Sequence, residues 1–569
     1  MENEKKGLNK RIVIFLIIAA VVIFGVTFAI ISAAGSEDGS ENRMTYEESQ
    51  AQLTKMLQKV YVQEVPAVKA AVQYNTTDLK EELPDISNYP QSVEGYGSVN
   101  IEIISSTEKA GSGTDGWLNE VAENFNKENY NINGQTVSVS VRPISSGVAA
   151  DYIISGKYIP DTFSPSNELW GEMIKTKSNV DIDMRSSRLA GNVTGILLKQ
   201  SKYDELEQKY GKVDISCVID ETVTNGLTMG YTNPFASSTG LNFIISALYS
   251  ADKNDLLSDT AVDLFQQFQA NVPFVAYTTI QMRDAATKQN GTLDAMVLEY
   301  QTYKNTVELR DFVFVPFGVR HDSPIYALGS LSAEKSQLLD MFIQYCQSDK
   351  SQKLASEYGF NNLNDYVSEV PLPSGNVITS AQSLWKEVKD AGRPVAAVFV
   401  ADISGSMNGE PIINLKNSLI NGSQYINQKN LIGLVSYDND VYINLPIAEF
   451  DLNQRSKFCG AVQDLTPGGQ TATYDAILVG LQMLDQVKQK DPQTKLMLFV
   501  LSDGQTNTGY EFDKVSKVAA GFNVPIYTIG YNADLEELAK ISSINEAASI
   551  NADSDDVVYT LKNLFNAQM

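Results

Sequence analysis

Residues 399–409 read "FVADISGSMNG". An apolar strand ends here, and Asp402, Ser404 and Ser406 follow on alternate positions while Gly405 lets the loop bend. Three small oxygen-bearing side chains on one short loop either cap a helix or form part of a cage for a hard cation. The surrounding residues set the fold. "VAAVFVA" from Val395 reads as a buried strand, and Ile412, Leu415, Leu419 and Ile426 mark one helix face. "LIGLVSY", "KLMLFVLS" and "PIYTIG" are further apolar runs of the kind found inside a parallel sheet, and "VVYTLKNLFNAQ" reads as a closing helix. Residues 393–569 are therefore expected to form a doubly wound α/β domain.

Ligands of such sheets gather beyond the carboxyl ends of the strands. Two more loops bring oxygen there: "TPGGQTATYDA" offers Thr471, and "FVLSDGQTN" offers Asp503 directly after a strand. Any one loop alone reads as a cap or a turn. Together they supply two carboxylates and three hydroxyls, which suits Mg²⁺, or Mn²⁺ or Ca²⁺ in its place. Asp402, Ser404, Ser406, Thr471 and Asp503 match the metal-ion-dependent adhesion site of the von Willebrand factor A domain, which residues 393–569 resemble. The resemblance implies a Rossmann-like fold in which Ser404 and Ser406 ligate the metal directly. It also implies that Thr471 binds directly or through water, that the aspartates act mostly through water, and that a protein partner's acidic side chain completes the shell.

The chain has 569 residues, too many for one core, and 43% hydrophobic with 20% charged residues is a globular composition. A net charge of −25 argues against nucleic acid as a partner. One histidine, His321, leaves little room for histidine-based zinc sites or Ser-His-Asp triads. Cys217, Cys346 and Cys459 lie far apart and make no disulfide-dense scaffold.

Residues 12–34 carry no charge over 23 positions, long enough to cross a bilayer as a helix. Lys5, Lys6, Lys10 and Arg11 precede them, and Glu37, Asp38 and Glu41 follow, which keeps residues 1–11 in the cytoplasm and exports the rest. Ser32 and Ala34 would also suit a signal peptidase, but the apolar core is long for a signal peptide and favours an uncleaved, single-pass anchor in the cell membrane. Residues 35–97 read as a stalk in which Met44 to Val62 form one amphipathic helix, and residues 367–392 read as a linker with a short helix over Leu384 to Lys389.

Between them, residues 98–366 alternate strand and helix, as in an α/β domain with a largely parallel sheet. "GSGTDG" at 111–116 satisfies G-x-G-x-x-G, but its glycines start late after the strand, and the next strand ends in Arg142-Pro143 with no acid for a ribose. Hydroxyl-rich loops precede three helices: Ser112 and Thr114, Ser145 and Ser146, and Ser237 to Thr239. These are ordinary N-caps or cradles for an anion or carboxylate. "ISSTEKAGSGTDGWLNEVAENFNKE", "PISSGVAADYIISGKYIPDTFSPSNELW", "YTNPFASSTGLNFI" and "VLEYQTY" resemble the type 2 periplasmic-type solute-binding proteins. That family implies two lobes closing on a small solute or anion, with Ser112, Ser145, Ser166, Ser238 and Tyr300 facing the cleft.

The sequence thus reads as a membrane-anchored, extracellular bacterial binding protein whose C-terminal domain mediates metal-dependent protein interaction or adhesion. The alternative is a transport-linked solute receptor. No nucleophile–base motif accompanies the metal loops, so catalysis is not expected.

Overall fold

The computed structural model describes residues 44–71, 79–272, 274–276, 279, 282–283, 293–389, 393–531, 535–542, 544, 549–551, 561 and 565. The proposed anchor at 12–34 lies outside these. Among the described residues no helix is long and apolar enough to cross a membrane.

The C-terminal domain is built on a seven-stranded sheet in the order Val62–Glu64, Val441–Glu449, Leu431–Tyr437, Val395–Asp402, Lys495–Ser502, Ile526–Gly530 and Ser549–Asn551. Only Val441–Glu449 against Leu431–Tyr437 is antiparallel. The central strand Val395–Asp402 is buried at every position, which is why it reads as an unbroken apolar run. Helix Thr473–Lys490 lies on one face with Ile477, Leu481 and Leu484 in the core, and Leu415, Leu419 and Phe458 pack on the other.

The edge strand and one helix of this domain come from residues expected to be a stalk. Thr45 and Glu48 form a capping box that starts helix Tyr46–Leu57, whose Leu53 and Met56 are buried against the C-terminal core. Gln50 Nε2 donates to Asp485 at 2.9 Å, and the Tyr46 ring packs edge-on against Phe522, centroids 5.6 Å apart. Val62–Glu64 then pairs in parallel with Val441, Tyr442 and Ile443. Two glycines make room for the segment. A Cβ at Gly521 would stand 1.9 Å from Ser49 Oγ, and one at Gly460 would stand 1.7 Å from Val68 O. The rest of the expected stalk belongs to the middle domain, where Leu83 is buried, Tyr152 donates to Pro84 O at 2.8 Å, and Val93 bridges Val141. The expected linker is likewise helical over Gly375–Val388, because Ile378, Ala381 and Trp385 repeat at helical spacing and are fully buried.

The middle domain has two lobes. The first carries a six-stranded sheet in the order Asn131–Ile132, Gln135–Pro143, Val99–Ser105, Thr162–Ser164, Ile325–Leu328 and Ile182–Ser186. The second carries five strands: Phe312–Phe317, Thr194–Lys199, Ala295–Glu299, Met229–Thr232 and Phe274–Ala276. The chain passes between the sheets through residues 187–193 and again through 318–324. The two crossings touch: His321 N donates to Asn192 O at 3.0 Å, and Asn192 N donates to Asp322 Oδ1 at 3.2 Å.

All three tryptophans, Trp117, Trp170 and Trp385, are buried in the two-lobed domain, so their fluorescence reports that domain alone. Leu53→Ala or Met56→Ala is expected to destabilise the C-terminal domain by about 2–5 kcal/mol. In denaturant, the circular-dichroism transition of the full chain should acquire an earlier component while the fluorescence transition stays in place.

Candidate metal centre and interlobe cleft

Asp402 ends the central strand and is fully buried. One carboxylate oxygen accepts the Ser404 backbone N–H at 2.8 Å, and the other accepts the Ser502 hydroxyl at 2.6 Å. Both oxygens are thereby held from behind, and the loop that follows stands in front. Ser404 Oγ and Ser406 Oγ are 3.1 Å apart, and Ser406 Oγ donates to Asp503 Oδ1 at 3.0 Å. The backbone ties the three loops together. Gly405 N donates to Gly469 O at 3.1 Å, Gly468 N to Ile403 O at 2.8 Å, and Thr471 N to Asn507 Oδ1 at 2.9 Å. Gly469 has φ of +73°, a left-handed conformation that favours glycine, and a Cβ there would sit 2.6 Å from Asn439 Oδ1.

Burial pushes the Asp402 carboxyl above its ordinary range, and the Asp503 charge adds to the shift. Burial pushes Asp503 up as well. Among the described residues no lysine or arginine is paired with either carboxylate. Two partly desolvated carboxylates beside two hydroxyls, with no cation of their own, fit a hard divalent ion. Among the described residues no three His, Cys, Asp or Glu side chains gather, so the hydroxyls are essential to any such site.

Two supporting residues were not singled out in the sequence. Ser502 directly precedes Asp503, and only its position at a strand end hints that it turns back onto Asp402. Tyr437 stands opposite Asp402 in the neighbouring strand, fully buried, with its hydroxyl accepting from Thr473 Oγ1 at 3.2 Å. Sequence order gives no sign of that register.

Residues 397–567 match the model of the von Willebrand factor type A domain, and residues 109–361 match that of the bacterial extracellular solute-binding proteins. The chain carries both domains. The A domain is similar to inter-alpha-trypsin inhibitor heavy chain H3 of Bos taurus, 26% identical over 153 residues, covering 25% of this chain and 17% of that protein. Voltage-dependent calcium channel subunit alpha-2/delta-4 of Homo sapiens is 22% identical over 382 residues, covering 64% of this chain and 33% of that protein. Among solved structures, the sulfate-binding protein SubI from Mycobacterium tuberculosis H37Rv covers 50% of this chain and 91% of its own at 13% identity, with a TM-score of 0.35. The chain spans less than half the length of these curated relatives.

In the solute-binding domain, Ser166 and Ser238 of the five residues expected at the cleft lie beside helix Ser146–Ser155 where the lobes meet, with Ser166 N donating to Ser146 Oγ at 3.4 Å and Asn167 Nδ2 to Ser238 O at 3.2 Å. Ser112 lines a cavity of about 370 Å³ between the lobes, with Thr114 and Asp115 on one side and Arg283, Thr306 and Glu308 on the other. Arg283 pairs with Asp115 at 3.1 Å across it. Ser238 Oγ accepts the Trp170 indole N–H at 2.8 Å, which makes it a contact between lobes. Ser166 Oγ is buried without a hydrogen-bond partner. Ser145 precedes helix Ser146–Ser155 without a side-chain cap, and the Tyr300 ring packs against Phe314. Helix Ser146–Ser155 meets the loop before helix Ser238–Ala251, where Gly147 N donates to Ala236 O at 3.1 Å. That N–H is thereby satisfied within the protein.

Ser502→Ala removes the donor that holds Asp402 and is expected to weaken divalent-cation affinity by roughly 10–100-fold, as outer-shell losses do at metal sites. Asp503→Asn relieves repulsion, so without metal the thermal midpoint should stay level or rise. The sign follows from the raised carboxyls, whose ionised forms cost stability as pH climbs through their folded values. Mg²⁺ titration followed by circular dichroism checks both variants.

Proposed function

We propose that this is a membrane-anchored, outward-facing binding protein of the bacterial surface whose A domain holds Mg²⁺ and recognises a partner protein through an acidic side chain. The observation that carries this reading is the uncompensated pair Asp402 and Asp503 beside Ser404 and Ser406 at one sheet edge. Ser404, Ser406 and Thr471 would face the ion, with Asp503 beside them and Asp402 held one step back by Ser502. The ion supplies an electrophilic centre for a carboxylate. The protein's part is to keep both aspartates from neutralising it by direct contact. Mn²⁺ or Ca²⁺ would satisfy the same oxygens. The chain acts by binding, and no step of catalysis is assigned to it.

The anchor at 12–34 leads through residues 35–43 into helix Tyr46–Leu57, which packs on the A domain. The A domain is then the part nearest the membrane, and the solute-binding domain projects from it. The cavity at Ser112 and Asp115 is where that domain would take a small solute.

The test uses the full chain in detergent, with Mg²⁺ or with EDTA. A metal that binds only the folded state adds about 2.7 kcal/mol at 100 times its Kd. The circular-dichroism midpoint of the A domain should rise by several degrees in the wild type and not in Ser404→Ala/Asp503→Ala, while tryptophan fluorescence stays unchanged. Extracellular proteins retained on the immobilised wild type in Mg²⁺ should elute in EDTA and fail to bind the double variant. Equal midpoints with and without millimolar metal would sink the metal-dependent reading.

A further inference from the structure

The single histidine of the chain lies in the second crossing between the lobes, buried to 1% exposure. His321 Nδ1 is 2.7 Å from Glu299 Oε1, and Glu299 Oε2 accepts from Asn192 Nδ2 of the first crossing at 2.7 Å. On the other side of the ring, Nε2 is 3.0 Å from Asn167 Nδ2 and 3.1 Å from Asn242 Nδ2. Asn167 follows a strand of the first lobe and Asn242 lies on helix Ser238–Ala251 of the second. The ring therefore bridges the two lobes where the chain crosses between them.

The hydrogen bonds around the ring fix its protonation. Asn167 Oδ1 accepts Leu169 N at 3.2 Å and Asn242 Oδ1 accepts Val319 N at 2.9 Å, so both amides turn their NH₂ groups toward Nε2. Their other partners are Ser238 O for Asn167 at 3.2 Å, and Val319 O at 2.7 Å and Thr194 Oγ1 at 3.2 Å for Asn242. Flipping either amide would forfeit those bonds. Nε2 must then accept, and Nδ1 carries the proton it donates to Glu299. A second proton on Nε2 would set one N–H against two others inside a dry interface.

We propose that the two-lobed domain senses pH: with a neutral His321 the lobes stay clasped, and protonation of Nε2 breaks the Asn167 and Asn242 contacts and lets them part. The ligand at this hinge is the proton, whatever the cleft takes. The other charged groups around Glu299 are Glu108 and Lys109 in the short helix Thr107–Ala110, Asp115 with its partner Arg283, and the flanking Arg320–Asp322 pair. Burial draws Lys109 down to about 7, and burial followed by the Glu299 charge pushes Glu108 up to about 7. A lysine held neutral loses its contribution to the clasped state as pH falls. A carboxyl held protonated loses its contribution as pH rises. The two act in opposite directions, and the histidine sets the sign: clasped at neutral pH, released on acidification.

The experiment places spin labels at Glu123→Cys and Glu205→Cys, exposed positions on opposite lobes, in the full chain, whose native cysteines are buried. Distances are read from about pH 7.5 to about 5.5. The wild type should shift toward longer distances, by at most tenfold in the clasped-to-open ratio per pH unit for one proton. In His321→Gln, an amide oxygen accepts from both asparagines and cannot be charged, so the distribution should ignore pH. The lone histidine resonance of isotope-labelled wild type gives a check without that variant, reporting an Nδ1–H ring at neutral pH that charges as the lobes part. A wild-type distance that ignores pH, an unchanged response in His321→Gln, or a ring that charges without any opening would each overturn the proposal.

Discussion

A parallel pairing across the whole chain constrains everything else in this molecule. Val62–Glu64 lies beside Val441–Glu449 in the same direction, so the residues between them must leave the A domain and return to it. Parallel neighbours always need a crossover connection, usually one helix. Here the crossover contains an entire two-lobed domain. Closing so long a loop costs little more than closing a short one, since the entropy grows only with the logarithm of length, and a folded insert with neighbouring ends behaves as a short loop. The buried Leu53 and Met56, and the glycines at 460 and 521 that admit the segment, show that the A domain is shaped to receive its own N-terminal strand and helix.

This arrangement explains what could be read from the sequence and what could not. Continuous apolar runs announced the central strands, and the amphipathic pattern after Met44 announced a helix, because both are local consequences of burial. The helix partner was invisible. Nothing near Leu53 indicates that its apolar face meets Phe522 and Val518, since that contact is set by tertiary register. The expected linker failed for a related reason. Pro371 and Pro373 mark a break truthfully, but the helix beyond them is the last element of the domain already begun.

The loops expected to hold the metal are short stretches, two of them at the ends of neighbouring strands and one before helix Thr473–Lys490, and backbone hydrogen bonds draw them together. The cleft hydroxyls were a weaker guide. A serine before a helix serves as a cap, a lobe contact or a ligand with the same local sequence, and only the surroundings choose. Ser238 facing Trp170 and Ser112 facing the cavity differ by partners far away in the chain.

The two domains treat buried carboxylates in opposite ways, and that contrast ties their roles to their chemistry. At Glu299 the two carboxylate oxygens are met by the His321 N–H and the Asn192 amide, so the site is complete in itself and responds only when a proton changes the donors. At Asp402 the donors are a backbone amide and a serine, and the neighbouring Asp503 adds like charge instead of relieving it. A site left in that condition is stabilised by whatever cation reaches it. One domain meets its buried carboxylate with its own donors, and the other sets two raised carboxyls side by side with no paired lysine or arginine among the described residues.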